Sequence, residues 1–422
     1  MAIIELGAVR DVPAAPGRRP PAVGRRLRGA VVLLLALVVL ASSTRLPQRS
    51  VAVVPASRTA TAYLTEHDVF VVDPPTADGP RHLTAYAQPT SDGGVRRRWQ
   101  ASLVGHGDYL DVRTEWGLVL TMAVTAPNRL FQTTAFDAAT GRQRWQQPGA
   151  PQPVDGGGLL LTDVRENGSG ALRRVEPDSG AVLWSVPIPS AANPAYHLVR
   201  GRVDRFVLLQ PTGEVQVYDA RTGRLLRSVD TLPGDRSAFQ RVQVVDDLLL
   251  LVPPGSTSLV SFALAELTPL WTAEVPLVSH VLGCGGLLCA VPQTGGLQVL
   301  DPDTGAVRWS EPGQDVLADV RRDRLLVAVP GRGYAVRDAA TGRTRTDLGE
   351  WALMPVLRPD DPLVGTRQGD DGRLVVAELD LLAGRARVVD VLPGVAGSCQ
   401  ASLPVLLCQR LDGTTALWRL TR

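Results

Sequence analysis

The sequence contains no lysine, since all 44 of its basic residues are arginines. We interpret this uniformity as an effect of genomic base composition. Against 42 acidic residues, the arginines leave a net charge of only +2, so no bulk field attracts nucleic acid or anionic lipid, and no nucleic-acid partner is expected. The five histidines have neither the spacing of metal ligands nor a paired base. We therefore assign no catalytic, cofactor-binding or metal-binding residue and expect no cofactor.

Glycine and proline, in contrast, are abundant, with 41 and 33 residues. Both residues interrupt regular structure, so this composition is typical of many short strands joined by tight turns. Hydrophobic residues make up 45% of the 422 residues, which is enough for a large chain to bury a full core.

The N-terminus is predicted to be an export segment outside the fold. Residues 1–28 form an Arg- and Pro-rich leader, and an apolar run follows from Gly29 to Ser43. A basic flank before such a run keeps the N-terminus in the cytoplasm. We therefore predict a signal anchor or transmembrane helix over 29–46, which would hold residues 50–422 on the extracytoplasmic side of the cell membrane. Ala41 and Ser43 could instead form a cleavage site and release a secreted protein. No cysteine lies near residue 43, which excludes a lipidated N-terminal cysteine.

A short pattern recurs along the rest of the chain: an alternating apolar strand, then Asp-x-x-Thr-Gly, then three residues and a Trp. The copies carry, in chain order, Asp137, Gly141 and Trp145; Gly180 and Trp184; Asp219 and Gly223; Trp271; Asp301, Gly305 and Trp309; and Asp338 and Gly342. The Trp positions, including those filled by other residues, are 99, 145, 184, 227, 271, 309, 346 and 388. Their spacing of 37 to 46 residues indicates one repeated structural unit.

Each part of the pattern has a mechanical role. The Asp side chain caps backbone N–H groups two residues on and starts a tight turn, which Gly closes at a positive φ. The Trp supplies a large flat surface that can seal one unit against its neighbour. A single four-stranded unit cannot bury both of its faces, so the units must stack into a ring.

The Asp-x-x-Thr-Gly-x-x-x-Trp pattern resembles the repeat of the quinoprotein alcohol dehydrogenase-like (PQQ-repeat) propellers, over residues 57–422. The resemblance implies an all-β fold, a β-propeller of four-stranded blades. That family includes pyrroloquinoline-quinone enzymes and cofactor-free scaffolds of the BamB type, and this chain resembles the scaffold type.

The number of blades is less directly given by the pattern. Eight Trp positions predict eight blades, with seven or nine as alternatives. Three strand-like segments remain after the eighth unit, at 395–399, 404–409 and 414–420. We predict that these C-terminal strands complete a blade begun by N-terminal residues, so that the ring closes. More strands remain than eight blades need, so one unit is expected to be irregular.

The four cysteines fall into two close pairs, Cys284 with Cys289 and Cys399 with Cys408. In an oxidising compartment two disulfides, each within one hairpin, are the natural interpretation. The alternative, a metal site formed by all four thiolates, lacks C-x-x-C spacing.

A quinone-dependent dehydrogenase is the enzymatic alternative, together with a sensor of a small ligand. Family enzymes of that kind bind calcium and the quinone through Asp, Glu and Asn, and many place two adjacent cysteines against the quinone. This chain has no adjacent cysteines and only three asparagines. Its repeated Asp residues lie in turns, where structure already explains them.

Five further features have structural explanations. Asp301-Pro-Asp303 resembles the start of a calcium loop but lacks the closing Glu, and Gly156–Gly158 precedes a strand and not a helix. Asn167 lies in a glycosylation sequon of ordinary loop composition. Arg96–Arg98 and Arg321–Arg324 are expected to be solvated turns, with a basic rim for an acidic partner or a membrane surface as the alternative.

Together these features predict a non-enzymatic, membrane-anchored interaction scaffold outside the cytoplasm. We expect a monomer that binds an unidentified protein or envelope ligand on one face of the propeller, in some process of the cell envelope.

Overall fold

The computed structural model describes residues 50–422 except 75–79, 90–92, 104–106, 126–129, 232–240, 253–256, 356–360 and 421–422. The predicted leader (1–28) and anchor (29–46) lie outside the described residues. In the described part, 36 strands form nine antiparallel sheets of four strands each. The fold is therefore an all-β propeller of four-stranded blades, as predicted.

Eight blades are built from consecutive strands. Blades 1 to 4 contain β2 (Thr61–Leu64), β3 (Asp68–Val72), β4 (Arg81–Ala87) and β5 (Arg96–Leu103); β6 (Gly107–Glu115), β7 (Leu118–Thr125), β8 (Leu130–Asp137) and β9 (Gln143–Pro148); β10 (Ala150–Pro153), β11 (Leu159–Val164), β12 (Gly170–Val175) and β13 (Val182–Ile188); β14 (Asn193–Val199), β15 (Arg202–Leu209), β16 (Glu214–Asp219) and β17 (Leu225–Asp230). Blades 5 to 8 contain β18 (Arg241–Val245), β19 (Leu248–Val252), β20 (Ser258–Ala263) and β21 (Pro269–Glu274); β22 (Val278–Gly283), β23 (Leu288–Pro292), β24 (Leu297–Leu300) and β25 (Val307–Glu311); β26 (Val316–Arg321), β27 (Arg324–Val329), β28 (Gly333–Asp338) and β29 (Thr344–Gly349); β30 (Ala352–Leu353), β31 (Val364–Gln368), β32 (Leu374–Asp380) and β33 (Arg385–Leu392).

The ninth blade joins the two ends of the propeller. It contains β34 (Val395–Ser402), β35 (Val405–Arg410), β36 (Thr415–Arg419) and, as its fourth strand, β1 (Ser50–Val54). β1 runs antiparallel to β36, with Ser50 opposite Arg419 and Val54 opposite Thr415. The predicted ring closure is thus confirmed, and we call the junction of blades 9 and 1 the seam.

The prediction of eight blades was wrong, because there are nine. The repeat pattern marks the turn from the third to the fourth strand of a blade. In blade 9 the chain ends lie where this turn would be, so the blade has no copy of the pattern to count. The three extra segments are β34, β35 and β36, and the N-terminal β1 supplies the missing strand.

Packing follows from the pattern of alternating and fully apolar strands. Nine hydrophobic clusters are present among the described residues, and each joins the facing sheets of two adjacent blades. The cluster at the seam, for example, packs Val54 and Leu417 of blade 9 against Leu64 and Val69 of blade 1. Burying apolar surface stabilises by roughly 25 cal/mol per Å², and here that gain requires a neighbouring blade.

Blade orientation follows from the contacts between sheets. The first strands of neighbouring blades contact one another, as β14 does β18 and β18 does β22, so first strands line the centre and fourth strands form the outer rim. The turns from first to second strand and from third to fourth strand lie at the same end of each blade. We call this end of the propeller the motif face.

Candidate functional site

The carboxylates of the repeated Asp residues form hydrogen bonds within their own turns. The Asp137 carboxylate accepts hydrogen bonds from the Thr140 backbone N–H at 2.9 Å and from the Thr140 hydroxyl at 2.8 Å, while the Gly141 N–H donates to the Asp137 carbonyl. Asp219, Asp301 and Asp338 make the same contacts to Thr222, Thr304 and Thr341. This is the turn that the sequence predicts.

An arginine seven residues after the Asp adds an ion pair in three blades. Arg144 contacts Asp137, Arg308 contacts Asp301, and Arg345 contacts Asp338. The arginine hydrogen bond, joined by those from the threonine, holds the pKa of each of these carboxyls below its usual range. These Asp side chains therefore have their acceptors occupied.

The Trp of one blade packs on the turn Gly of the next blade. A Cβ added to Gly141 would lie 2.5 Å from the ring of Trp99, and one added to Gly180 would lie 2.5 Å from Trp145. The indole N–H of Trp99 donates to the Ala138 carbonyl at 2.8 Å, in the same turn as Gly141. Three more pairs repeat the contact of ring and glycine: Trp184 with Gly223, Trp271 with Gly305, and Trp309 with Gly342.

The interface between blades 4 and 5 lacks this pair of Trp and Gly. Blade 4 carries Arg227 at the Trp position, and blade 5 carries Leu267 where other blades have Gly. Leu267 has φ +55°, the conformation that Gly usually supplies, and its side chain is buried in the cluster between blades 4 and 5. The leucine side chain thus fills space that a docked indole would occupy.

Both cysteine pairs form disulfides, as predicted. Cys284 and Cys289 close the turn between β22 and β23 in blade 6, and Cys399 and Cys408 are register partners on β34 and β35 of blade 9. The two bridges lie three blades apart, so the alternative of a site formed by all four thiolates is wrong.

The other residues singled out in the sequence are dispersed. Asn167 accepts hydrogen bonds from Ser169 in the hairpin between β11 and β12, and Gly156–Gly158 lie in the turn before β11. His197 contacts Asp204 at 2.5 Å, next to the blade 4 turn. Among the residues described, no group of three or more His, Cys, Asp or Glu is arranged to hold a metal ion.

The seam contains a cleft of about 550 Å³ that opens to the motif face. We call it the seam cleft. Its lining includes Glu66, His67, Arg96, Arg98 and Arg419. Three arginines from blades 1 and 9 therefore line one concave surface.

Arg98, which lines the seam cleft, forms a half-buried ion pair within blade 1. The Arg98 Nε lies 2.9 Å from Asp68 Oδ1, and the Asp68 side chain is only 13% exposed. Burial raises the pKa of the Asp68 carboxyl, and the positive charge of Arg98 opposes this effect. Sequence reasoning noted the Arg96–Arg98 run but missed Asp68, which pairs with Arg98 across one sheet, and Arg419, which approaches only because the ring closes.

The seam is also held by polar contacts that the sequence did not indicate. The Gln400 side chain on β34 accepts a hydrogen bond from the Leu64 N–H at 2.8 Å and donates to the Ala62 carbonyl at 2.7 Å, which bridges blades 9 and 1. Gln243 makes a related contact from blade 5 to the Val281 N–H of blade 6. A glutamine on a first strand carries no distinctive sequence signal.

No helix in the described residues is long and apolar enough to cross a membrane.

Among solved structures, the chain is similar to the computationally designed Ika8 protein, with a TM-score of 0.50 and 18% identity over 75% of this chain and 98% of that one. It is also similar to BamB from Moraxella catarrhalis (TM-score 0.42, 13% identity, 88% of this chain and 98% of that one) and to Sqt1 from Saccharomyces cerevisiae (TM-score 0.46, 12% identity, 76% and 98%). At 18% identity, the similarity to Ika8 shows the fold alone. No curated protein sequence matches the chain.

The family model described as outer membrane protein assembly factor BamB matches residues 132–379, which is more than half of the chain. This range contains the four Asp-x-x-Thr-Gly turns described above, from blade 2 to blade 7. The chain therefore belongs to the PQQ-repeat propeller family that this model describes, that of the outer membrane protein assembly factor BamB.

Proposed function

We propose that this protein is a non-enzymatic interaction scaffold, anchored in the cell membrane by residues 29–46 with its propeller outside the cytoplasm. Family membership supports the scaffold, since the matching family model is named for an assembly factor. The two disulfides support the location, because such bridges persist in oxidising compartments.

The observation that carries the proposal is the use of the repeated polar residues. A quinoprotein enzyme needs free carboxylates for calcium and cofactor, whereas here Asp137, Asp219, Asp301 and Asp338 each bond their own turn. What differs from blade to blade is the surface, and surface loops on a rigid frame are where binding residues usually lie. The proposed role in the cell envelope follows the family name and is an analogy.

Photo-crosslinking from the two faces of the propeller in the native membrane tests the scaffold. A crosslinkable residue would replace either Trp116, exposed in the β6–β7 turn on the motif face, or Phe131, exposed near the opposite end of blade 2. We expect one discrete adduct from one face and none from the other. Equal, diffuse adducts from both positions would contradict a scaffold with a specific partner.

Titration with pyrroloquinoline quinone and calcium tests the enzymatic alternative. We expect no change in the absorbance of the quinone when the propeller is added. Calcium-dependent binding at micromolar quinone would overturn the scaffold and indicate a dehydrogenase.

A further inference from the structure

Charged side chains are distributed unevenly over the fourth strands, which form the outer rim. In blades 7, 8, 1 and 2 these strands have seven exposed arginines and one exposed acidic residue, Asp347; the arginines are Arg345, Arg385, Arg387, Arg96, Arg97, Arg98 and Arg144. In blades 3 to 6 they have two exposed arginines and three exposed acidic residues, namely Arg227, Arg308, Asp230, Glu274 and Glu311. The net charge of +2 of the whole chain conceals this separation.

The seven arginines all lie within the first three residues of their strands. Arg385 and Arg96 are the first residues of β33 and β5, and Arg144 and Arg345 are the second residues of β9 and β29. Each fourth strand begins at the motif face, so the seven side chains lie along one edge of the rim. We call these seven residues the basic edge. Arg96, Arg97 and Arg385 have no ion-pair partner among the described residues, whereas Arg98, Arg144, Arg345 and Arg387 each contact one carboxylate.

The chain enters the propeller in the middle of the basic edge. β1 is the fourth strand of blade 9, which stands between blades 8 and 1, and β1 itself has no charged residue. Its first residue, Ser50, is paired with Arg419, a residue that lines the seam cleft. Ser50, the first described residue, therefore lies at the motif face, beside the seam cleft.

The distance to the predicted anchor is short. Only residues 47–49 separate its end at residue 46 from Ser50. Four residue steps span at most roughly 14 Å when fully extended, which is comparable to a Debye length of about 10 Å in dilute salt.

We propose that the basic edge is the membrane-facing side of the propeller and binds the phosphate groups of anionic lipids, with the seam cleft as its most concave headgroup site. The inference rests on the membrane anchoring proposed above. Guanidinium groups bind phosphate through two parallel hydrogen bonds, and each arginine near an anionic surface strengthens binding severalfold. The propeller would then stand on its rim, with its centre accessible to a partner.

The test uses the propeller alone, residues 50–422, since these residues form all nine hydrophobic clusters and the anchor would bind any vesicle. Flotation with vesicles of phosphatidylcholine containing one third phosphatidylglycerol is compared with flotation on phosphatidylcholine alone. We expect binding to the anionic vesicles only, and loss of that binding at high salt. Equal binding to both kinds of vesicle, or to neither, would overturn the proposal.

A pair of matched variants distinguishes a specific edge from general charge. R96E/R97E reverses two arginines of the basic edge, and R224E/R227E makes the same change on the rim of blade 4, opposite the seam. The first is expected to weaken anionic-vesicle binding by about tenfold or more, and the second by less than about twofold. Equal losses would show that only net charge matters. Inorganic phosphate and unlabelled anionic vesicles can both be added as competitors of wild-type vesicle binding. If phosphate competes as strongly as the vesicles do, the seam cleft would be reassigned to a free anion.

The outcome is separable from that of the proposed function. In one outcome, the propeller alone fails to bind anionic vesicles while the full chain still fractionates with membranes and crosslinks to a partner. That result would contradict the role of the basic edge and leave the scaffold proposal intact. A full chain recovered outside the membrane fraction would instead contradict the anchor.

Discussion

The docked interfaces between blades differ from the seam, and the contrast explains how the ring is built. Five interfaces dock a Trp on the turn Gly of the next blade, whereas β1, the fourth strand of blade 9 at the seam, carries no Trp to dock. The seam is held instead by the pairing of β1 with β36, by the apolar cluster that contains Val54 and Leu64, and by the Gln400 bridge. Where the repeat is interrupted by the chain ends, other interactions replace it.

The contrast also shows what the pattern signifies. In the docked blades, the Gly of one repeat contacts the Trp of the preceding repeat. Each such pair therefore stabilises an interface between two blades. The interface of blades 4 and 5 supports this reading, because the loss of Trp at Arg227 accompanies the loss of Gly at Leu267. The two positions are 40 residues apart in the sequence.

Removing β1 is expected to have the largest effect, because it opens the seam. A propeller that begins at Pro55 lacks Ala52 and Val54, which are buried, and leaves β36 as an open edge. We expect a loss of at least about 3 kcal/mol in the free energy of unfolding, measured by urea denaturation against residues 50–422. An unchanged midpoint would mean that blade 9 closes without its fourth strand.

A single methyl group should disrupt a docked interface. Gly141→Ala places a Cβ against the Trp99 ring and also requires a positive φ, so we expect a loss of about 2–4 kcal/mol. Gly117→Ala is the matched control, since Gly117 lies in the same blade with the same φ of +72° but with no atom within 4 Å of the added Cβ. The control should lose about 1 kcal/mol. Equal losses in thermal or urea denaturation would show that the indole contact adds nothing.

The two disulfides should differ little in energy but differ in what they hold. Replacing Cys399 and Cys408 by Ser should cost about 2–3 kcal/mol, and so should replacing Cys284 and Cys289, because both loops are short. Only the first pair lies in the blade that β1 completes, so only its loss should increase hydrogen exchange in β1. Exchange in β1 that rises equally in both double variants would contradict a local role.

Acid should produce the smallest effect, and it should act on the turns of the docked blades. The pKa of Asp137, Asp301 and Asp338 is lowered by folding, so the stability that these carboxylates contribute is complete above their unfolded pKa near 4 and declines as pH falls below it. Urea midpoints between pH 6 and about pH 2 measure the decline. The triple variant D137N/D301N/D338N should flatten this part of the curve, and an unaltered slope would assign the acid response to other groups.

Local features of the fold could be predicted from the sequence, whereas features created by closure could not. The turns at Asp137 and Asp301 depend on contacts within five residues, and a hairpin disulfide such as Cys399–Cys408 on contacts within ten. Such local features can be predicted directly from the sequence. The ninth blade and the approach of Arg419 to Arg96 depend on pairing residues more than 300 positions apart. No period or spacing encodes such a contact.

The pairing of β1 with β36 also sets the order in which the molecule can mature. β1 belongs to the beginning of the propeller and its partner to the end, so β1 must wait until nearly the entire chain has been synthesised. Contacts this distant in sequence form slowly, and until then an apolar strand with an unpaired edge is exposed. The last step of folding is therefore the pairing of β1, the first strand of the propeller to be synthesised, with β36.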